Sequence, residues 1–217
     1  MTQKYDPHKH HRLSIRLKGY DYASVGAYFV TICTQNMISR FGRVQNDAMI
    51  LNDAGRMVNH EWLALARRFP HITFGPFITM PNHFHAILII CPPDNDLLAP
   101  LVETHDMDVV VETHEIDVVG APLVGAQSPG AQNVGAQSPD NQSPDNQSLG
   151  QIIGAFKSIT TNAYVAGVNN KNWTPFDGRL WQRNYYEHII RNQKSFNDIS
   201  TYIQANPARW EHDTYFT

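Results

Sequence analysis

The sequence predicts an α+β fold: a ferredoxin-like β-α-β-β-α-β antiparallel sheet with helices on one face, followed by a further C-terminal helix. Three observations predict it. Runs rich in aromatic and β-branched residues, at Ala27–Thr34, His71–Met80 and within PNHFHAILII (Pro81–Ile90), read as strands. Apolar residues recur at helical spacing between the first and second of these runs, and again well after the third. The second and third runs lie only a few residues apart, which implies an antiparallel pair.

In chain order, a basic arm and a turn-prone GYDYASVG lead into AYFVTICT, the first strand. Phe41–Leu51 reads as a hairpin arm centred on Gln45-Asn46-Asp47. Asn52 or Asp53 can cap a helix reaching about Phe69, with Val58, Trp62, Leu65 and Phe69 as its apolar stripe, and Pro70 ends it. After the third strand the sequence changes character. VETHDMDVV is followed at once by VETHEIDVV, then GAQSP and SPDNQ each recur. Such repeats are too short to stack as repeat architectures do, and their Gln/Ser/Pro/Asp content cannot offset the entropy of ordering. Residues 92–148 are therefore expected to be a disordered insertion with no catalytic part. Ser148 and Gln151 form a capping box ahead of Leu149, Ile152, Ile153 and Phe156. A short strand is expected near Arg179–Gln182, while Tyr185–Asn192 stays open between a helical turn and a strand extension. Ser195, with Asp198, caps the last helix over a buried stripe of Phe196, Ile199 and Ile203. Pro207 ends it by disfavouring helical geometry at Asn206. The expected organisation is an arm (1–20), one domain in two pieces (21–91 and 149–217) and the insertion.

Composition narrows the class. A hydrophobic content of 42% is enough for a core. No apolar run approaches the roughly 20 residues that span a bilayer, and the N-terminus lacks a secretory h-region. Cys33 and Cys91 sit in apolar strand-like runs without a CxxC pair, which fits free thiols in a reducing cytoplasm rather than a cysteine zinc site. The net charge of −3 hides a segregation: residues 92–148 hold ten acids and no Lys or Arg, leaving +7 for the rest. A basic body permits a phosphate-bearing partner.

The chemistry centres on His83 and His85. Alternation along a strand puts both imidazoles on one face and Phe84 on the other, giving a two-pronged metal grip that needs another ligand. Alone, such a pair is weak evidence and reads first as ordinary surface or hydrogen-bonded histidines. Tyr202 and Asn206, four residues apart, lie one above the other on the last helix. Alone, they read as a part-buried tyrosine with a capping asparagine. The predicted topology places the histidine strand mid-sheet, with the final helix able to cross its histidine face, so the four residues can meet.

PNHFHAI, LWQRNYYEHIIR and YIQANP, in this order, resemble the REP-associated tyrosine transposases of the HUH (His-hydrophobic-His) single-strand DNA nucleases. AYFVTICTQN, LNDAGRMV and NPARW resemble the family's framework. The likeness covers roughly Ile15–Cys91 and Leu149–Asp213, and the insertion falls where the family has a short connection. The resemblance implies that His83 and His85 are metal ligands, Asn206 completes the metal site and Tyr202 is the nucleophile. It implies Mg²⁺ or Mn²⁺ as the cation, although this donor mixture leaves Zn²⁺ open. It further implies nicking and transfer of single-stranded or hairpin DNA through a 5′-phosphotyrosine. The chemistry is coherent, because a phenol of pKa about 10 is a weak nucleophile that needs charge neutralised on the phosphate. Lys157, Arg179, Arg183 and Arg191 are candidate backbone contacts, each of which taken singly reads first as a plain surface base. Two other readings stand beside this one: a domesticated hairpin-DNA-binding relative that no longer transposes, and an unrelated HxH metal hydrolase. A homodimer, with the tyrosine acting within or across chains, stays open.

Overall fold

The computed structural model describes Leu17, residues 19–92 and residues 147–216. Most of the basic arm and nearly all of the acidic insertion lie outside the described residues. The chain runs β1 (Gly26–Cys33), a hairpin of β2 (Gly42–Gln45) and β3 (Ala48–Leu51), α1 (Asp53–Arg68), β4 (Ile72–Thr79), β5 (His83–Ile90), α2 (Leu149–Lys171), β6 (Tyr186–Ile190), α3 (Gln193–Ala205) and a 3-10 turn over Pro207–His212. The sheet order is β4-β5-β1-β6, and every neighbouring pair is antiparallel. Apart from the inserted hairpin this is the ferredoxin-like order that the sequence predicts, with β5 and β1 in the centre.

Two alternating faces divide the work. Tyr28, Val30 and Ile32 of β1 and Phe84, Ala86 and Leu88 of β5 are buried in one core with residues of α1 and α2. Trp62 of α1 sits at its middle, with ring centroids 5.2 Å from Phe74, 5.0 Å from Phe84 and 5.1 Å from Phe156. Asn52 starts α1 by accepting the Gly55 N–H at 2.9 Å. The opposite face carries a smaller core in which Phe29 and Ile87 meet Ile203, Phe196 and Ile199 of α3. Since both faces are covered, β5 is buried along almost its whole length. Gly75 on β4 leaves room for Ile87 of β5, with Phe196 of α3 at ordinary contact distance beyond it. A Cβ there would stand 2.9 Å from Ile87 Cβ and 3.5 Å from the Phe196 ring.

The structure departs from the sequence reading at three places. Arg179–Gln182 is not a strand of the sheet and contributes only a bridge between Trp181 and Thr34. Leu180 and Trp181 turn inward as core residues, and the Trp181 indole N–H donates to Thr160 Oγ1 at 2.9 Å. The fourth strand is Tyr186–Ile190, which pairs with Ala27–Thr31. The last helix begins at Gln193, capped by Asn192 rather than Ser195. Asn192 Oδ1 accepts the Ser195 N–H at 2.8 Å, and Asp198 pairs with Lys194 instead of closing a capping box. Asn caps as well as Ser does, so the start moves three residues back. Asn206 keeps right-handed helical geometry (φ −58°, ψ −42°) although Pro207 follows. Pro207 opens the 3-10 turn, where its missing N–H has no partner to lose.

Replacing Gly75 by valine is expected to overpack its contact with Ile87 of β5 and destabilise the protein by about 1–3 kcal/mol. A urea midpoint unchanged from the parent protein would contradict this account of the β4–β5 contact.

Candidate active site

Alternation along β5 aims His83 and His85 at the α3 side of the sheet, where their ring centroids are 4.4 Å apart. Across the β1 ladder Cys33 is paired with His83 and Thr31 with His85, so both also face this side. From α3, Tyr202 and Asn206 arrive one turn apart. The structure thus brings His83, His85, Tyr202 and Asn206 to one place.

The hydrogen bonds around the imidazoles decide which lone pairs are offered. Asn82 donates through Nδ2 to the carbonyls of Met37 (3.0 Å) and Tyr215 (2.7 Å), so its Oδ1 is left to accept. His83 Nδ1 lies 2.9 Å from that oxygen and therefore carries the proton, leaving Nε2 bare. His85 has Nδ1 2.8 Å from Thr31 Oγ1 and Nε2 3.3 Å from the Tyr202 hydroxyl. With its proton on Nδ1, it also presents a lone pair to the site. Asn206 donates through Nδ2 to Asp213 Oδ2 at 2.9 Å, so its free atom is the carbonyl oxygen Oδ1. His83 Nε2 and Asn206 Oδ1 are buried without a hydrogen-bond partner among the described residues. Each such orphan costs about 1–3 kcal/mol when nothing meets it.

These orphans fit a cation. His83, His85 and Asp213 each present one ligand atom within 4.8 Å of the others, and the group can hold a metal ion. Two imidazole nitrogens, an amide oxygen and a carboxylate form a mixed nitrogen–oxygen donor set suited to a first-row divalent ion. Asp213 is also pinned from behind, its other oxygen accepting the Tyr215 N–H at 2.8 Å.

Burial sets the protonation states. It pushes the His83 imidazole down to about 4, while Asp213 and Asn206 pull the other way. His85 is held well below its usual value by burial and by His83. Both are therefore neutral at pH 7, the form that ligates metal. The Tyr202 phenol is pushed up to about 12, chiefly by burial, then by Asp213 and Tyr215. Burial, with Asp213, raises the neighbouring Cys33 thiol to about 11, so it holds no thiolate at neutral pH. Trp210 and Tyr215 close the site over His83, with ring centroids 5.9 and 4.7 Å away.

The basic residues are distributed unevenly. Lys157 donates to the carbonyls of Gln182 (2.5 Å) and Arg183 (3.1 Å), so it pins the segment leading into β6. Burial and Arg179 lower its ammonium to about 8. Arg179 and Arg183 are exposed and share a cleft with it. Arg191 is exposed just past the other end of β6, about 17 Å along the strand from Tyr186, and is not part of this cluster. Sequence reasoning missed Asn82, Thr31, Asp213 and Tyr215. Asn82 adjoins the histidine pair and Thr31 shares its face by alternation, so both carried a signal. Asp213 and Tyr215 lie in a tail without periodicity. Among the described residues no helix is long and apolar enough to cross a membrane.

No family model matches the chain. It is 37% identical over 216 residues to an uncharacterized protein of Haemophilus influenzae, covering 100% of this chain and 99% of that one. Among solved structures it is similar to a REP-associated tyrosine transposase bound to a REP hairpin, with 16% identity, a TM-score of 0.42, and coverage of 91% of this chain and 73% of that one. It is also similar to a candidate transposase from Deinococcus radiodurans, with 12% identity, a TM-score of 0.38, and coverage of 88% and 96% respectively. The functional reading therefore rests on the side chains themselves.

Because His83 titrates lower folded than unfolded, the unfolded chain binds more protons between about pH 6.5 and 4. Metal-free protein should keep its full stability above about pH 6.5 and lose it as the pH falls towards about 4, read as Tm across that range. His83→Gln should flatten this slope. A slope equally steep in the variant would contradict the assignment.

Proposed function

The chain belongs to one family with the Haemophilus influenzae protein, and we propose that it is a metal-dependent, tyrosine-nucleophile single-strand DNA endonuclease-transposase of the REP-associated type. The observation that carries this reading is the Tyr202 hydroxyl 3.3 Å from His85 Nε2, beside the unpartnered His83 Nε2 and Asn206 Oδ1. The family motifs noted in the sequence support it independently.

A divalent cation, Mg²⁺ or Mn²⁺, held by His83, His85 and Asn206 with Asp213 alongside, would supply Lewis-acid charge to a phosphate oxygen. The chain's own residues do the rest. Asn82 and Thr31 hold the imidazoles in the tautomer that turns Nε2 inward, and Asp213 turns the Asn206 oxygen the same way. Trp210 and Tyr215 exclude water above His83. Tyr202 supplies the nucleophile: its oxygen bonds to phosphorus as the P–O3′ bond breaks. The phenolic proton is given up and the departing 3′-oxygen gains one, which leaves a 5′-phosphotyrosine and a 3′-hydroxyl. One phosphodiester replaces another, so attack by a second 3′-hydroxyl can transfer the strand without ATP.

Tyr202 reaches the histidines of its own chain, which supports attack within one protomer. Single-stranded or hairpin DNA is the substrate class, with Arg179, Arg183 and Lys157 forming the nearby phosphate-contacting cluster and Arg191 a more distant contact. Two free thiols, Cys33 and Cys91, suit a reducing cytoplasm.

Incubated with a labelled single-stranded hairpin and Mn²⁺, the protein should form a covalent protein–DNA band that chelation prevents. Tyr202→Phe should abolish the band, and Asn206→Ala should weaken it about 10–100-fold, the scale for a lost metal-site partner. Hydrolysis that survives Tyr202→Phe would point instead to a hydrolase, and binding without a band to a non-nicking DNA-binding protein.

A further inference from the structure

We propose that Tyr186 is a stacking platform for a nucleobase next to the scissile phosphate; this rests on the single-strand DNA reading above. On the α3 side of the sheet, one level across three strands holds His85 on β5, Thr31 on β1 and Tyr186 on β6. Two strand spacings separate the first from the last, about 10 Å, which is within the reach of a nucleotide whose phosphate sits at the histidines.

Tyr186 is also the aromatic residue on this level that stays open. It is 49% exposed on a sheet-edge strand, whereas His85 is buried and Tyr202 half-buried. Its ring is supported from below. Phe29 stacks on His85 at 5.4 Å and meets Tyr202 edge-on at 6.1 Å and Tyr186 edge-on at 6.3 Å. One buried phenylalanine thus carries the ligand, the nucleophile and the exposed ring, which form a continuous aromatic shelf from the active site to the sheet edge. His188, exposed on the same face at the level of Phe29, extends that shelf along β6. The other side of the shelf leads towards Arg183, three residues before Tyr186 and exposed. A strand lying here would set a base on Tyr186, the next phosphate at Tyr202, and further backbone near Arg183. Base–aromatic stacking tolerates any base, so this platform positions the substrate without choosing its sequence.

The test uses the full chain and a hairpin oligonucleotide with a single-stranded thymidine extension in which 2-aminopurine replaces one base at successive positions. Wild-type protein should quench the fluorophore at a position adjoining the mapped cleavage site. Tyr186→Ala should lose that quenching and raise KM about ten-fold, with kcat and Tm little changed. Tyr186→Phe, which keeps the ring, should restore both. Wild-type binding and covalent adduct formation with Tyr186→Ala indistinguishable in KM and quenching would overturn the platform and leave the nuclease reading intact. Tyr186→Phe as defective as Tyr186→Ala would overturn stacking in favour of a hydroxyl contact. If wild-type protein neither binds the probe nor forms an adduct, the nuclease reading falls and the platform falls with it.

Discussion

Two imidazoles buried side by side in an apolar sheet lose their hydration, and the rest of the site is arranged around replacing it. Each ring is held on its outer nitrogen, by Asn82 or Thr31, and turns its inner nitrogen to the shared space, where that of His85 meets the Tyr202 hydroxyl. Asn206 is treated alike, its amide group held by Asp213 and its oxygen left over. A fold that wanted only a core would place aliphatic side chains here, as it does two residues further on with Ile87. Keeping two buried polar atoms, His83 Nε2 and Asn206 Oδ1, unanswered is costly, and a cation meeting them together would remove the cost. The same burial keeps the phenol protonated, so the nucleophilic role proposed for Tyr202 would call on that added charge.

The geometry follows from a simple division of the sheet. Even-numbered residues of β5 build the large core with α1 and α2, while the odd-numbered ones give His83 and His85 to the candidate site and Ile87 and Ile89 to the small core. The large core is therefore free to stabilise the protein without touching the site. The small core, built on Phe29, Ile87 and Ile203, has the narrower task of seating one helix so that two of its residues reach the histidines. Gly75 gives Ile87 room in that small core, and the 3-10 turn after Pro207 brings Asp213 and Tyr215 back over the site.

Local periodicity made most of this legible. The two-residue alternation of β1 and β5 and the four-residue step from Tyr202 to Asn206 depend only on neighbours in the chain, and they survive intact in the structure. The predicted sheet order followed from the succession of strands and helices, including the central place of β5. What local patterns could not decide was competition between equals. Asn192 and Ser195 are both good caps, and the helix starts at the earlier. Leu180 and Trp181, expected in a short strand, are instead core residues, and Trp181 is held by α2 through its bond to Thr160 and its contact with Phe156. Asp213 was illegible for the same reason. Its role exists only because the chain folds back after Pro207 and sets it against Asn206.

The most direct measurement is the chemical identity of the residue that carries DNA after reaction. Trapping the protein on a labelled hairpin in Mn²⁺, digesting both components and sequencing the nucleotide-bearing peptide by mass spectrometry would locate it. The account predicts a 5′-phosphodiester on Tyr202 alone. Attachment to Tyr215 or Tyr186, or cleaved DNA with no protein-linked nucleotide, would contradict it.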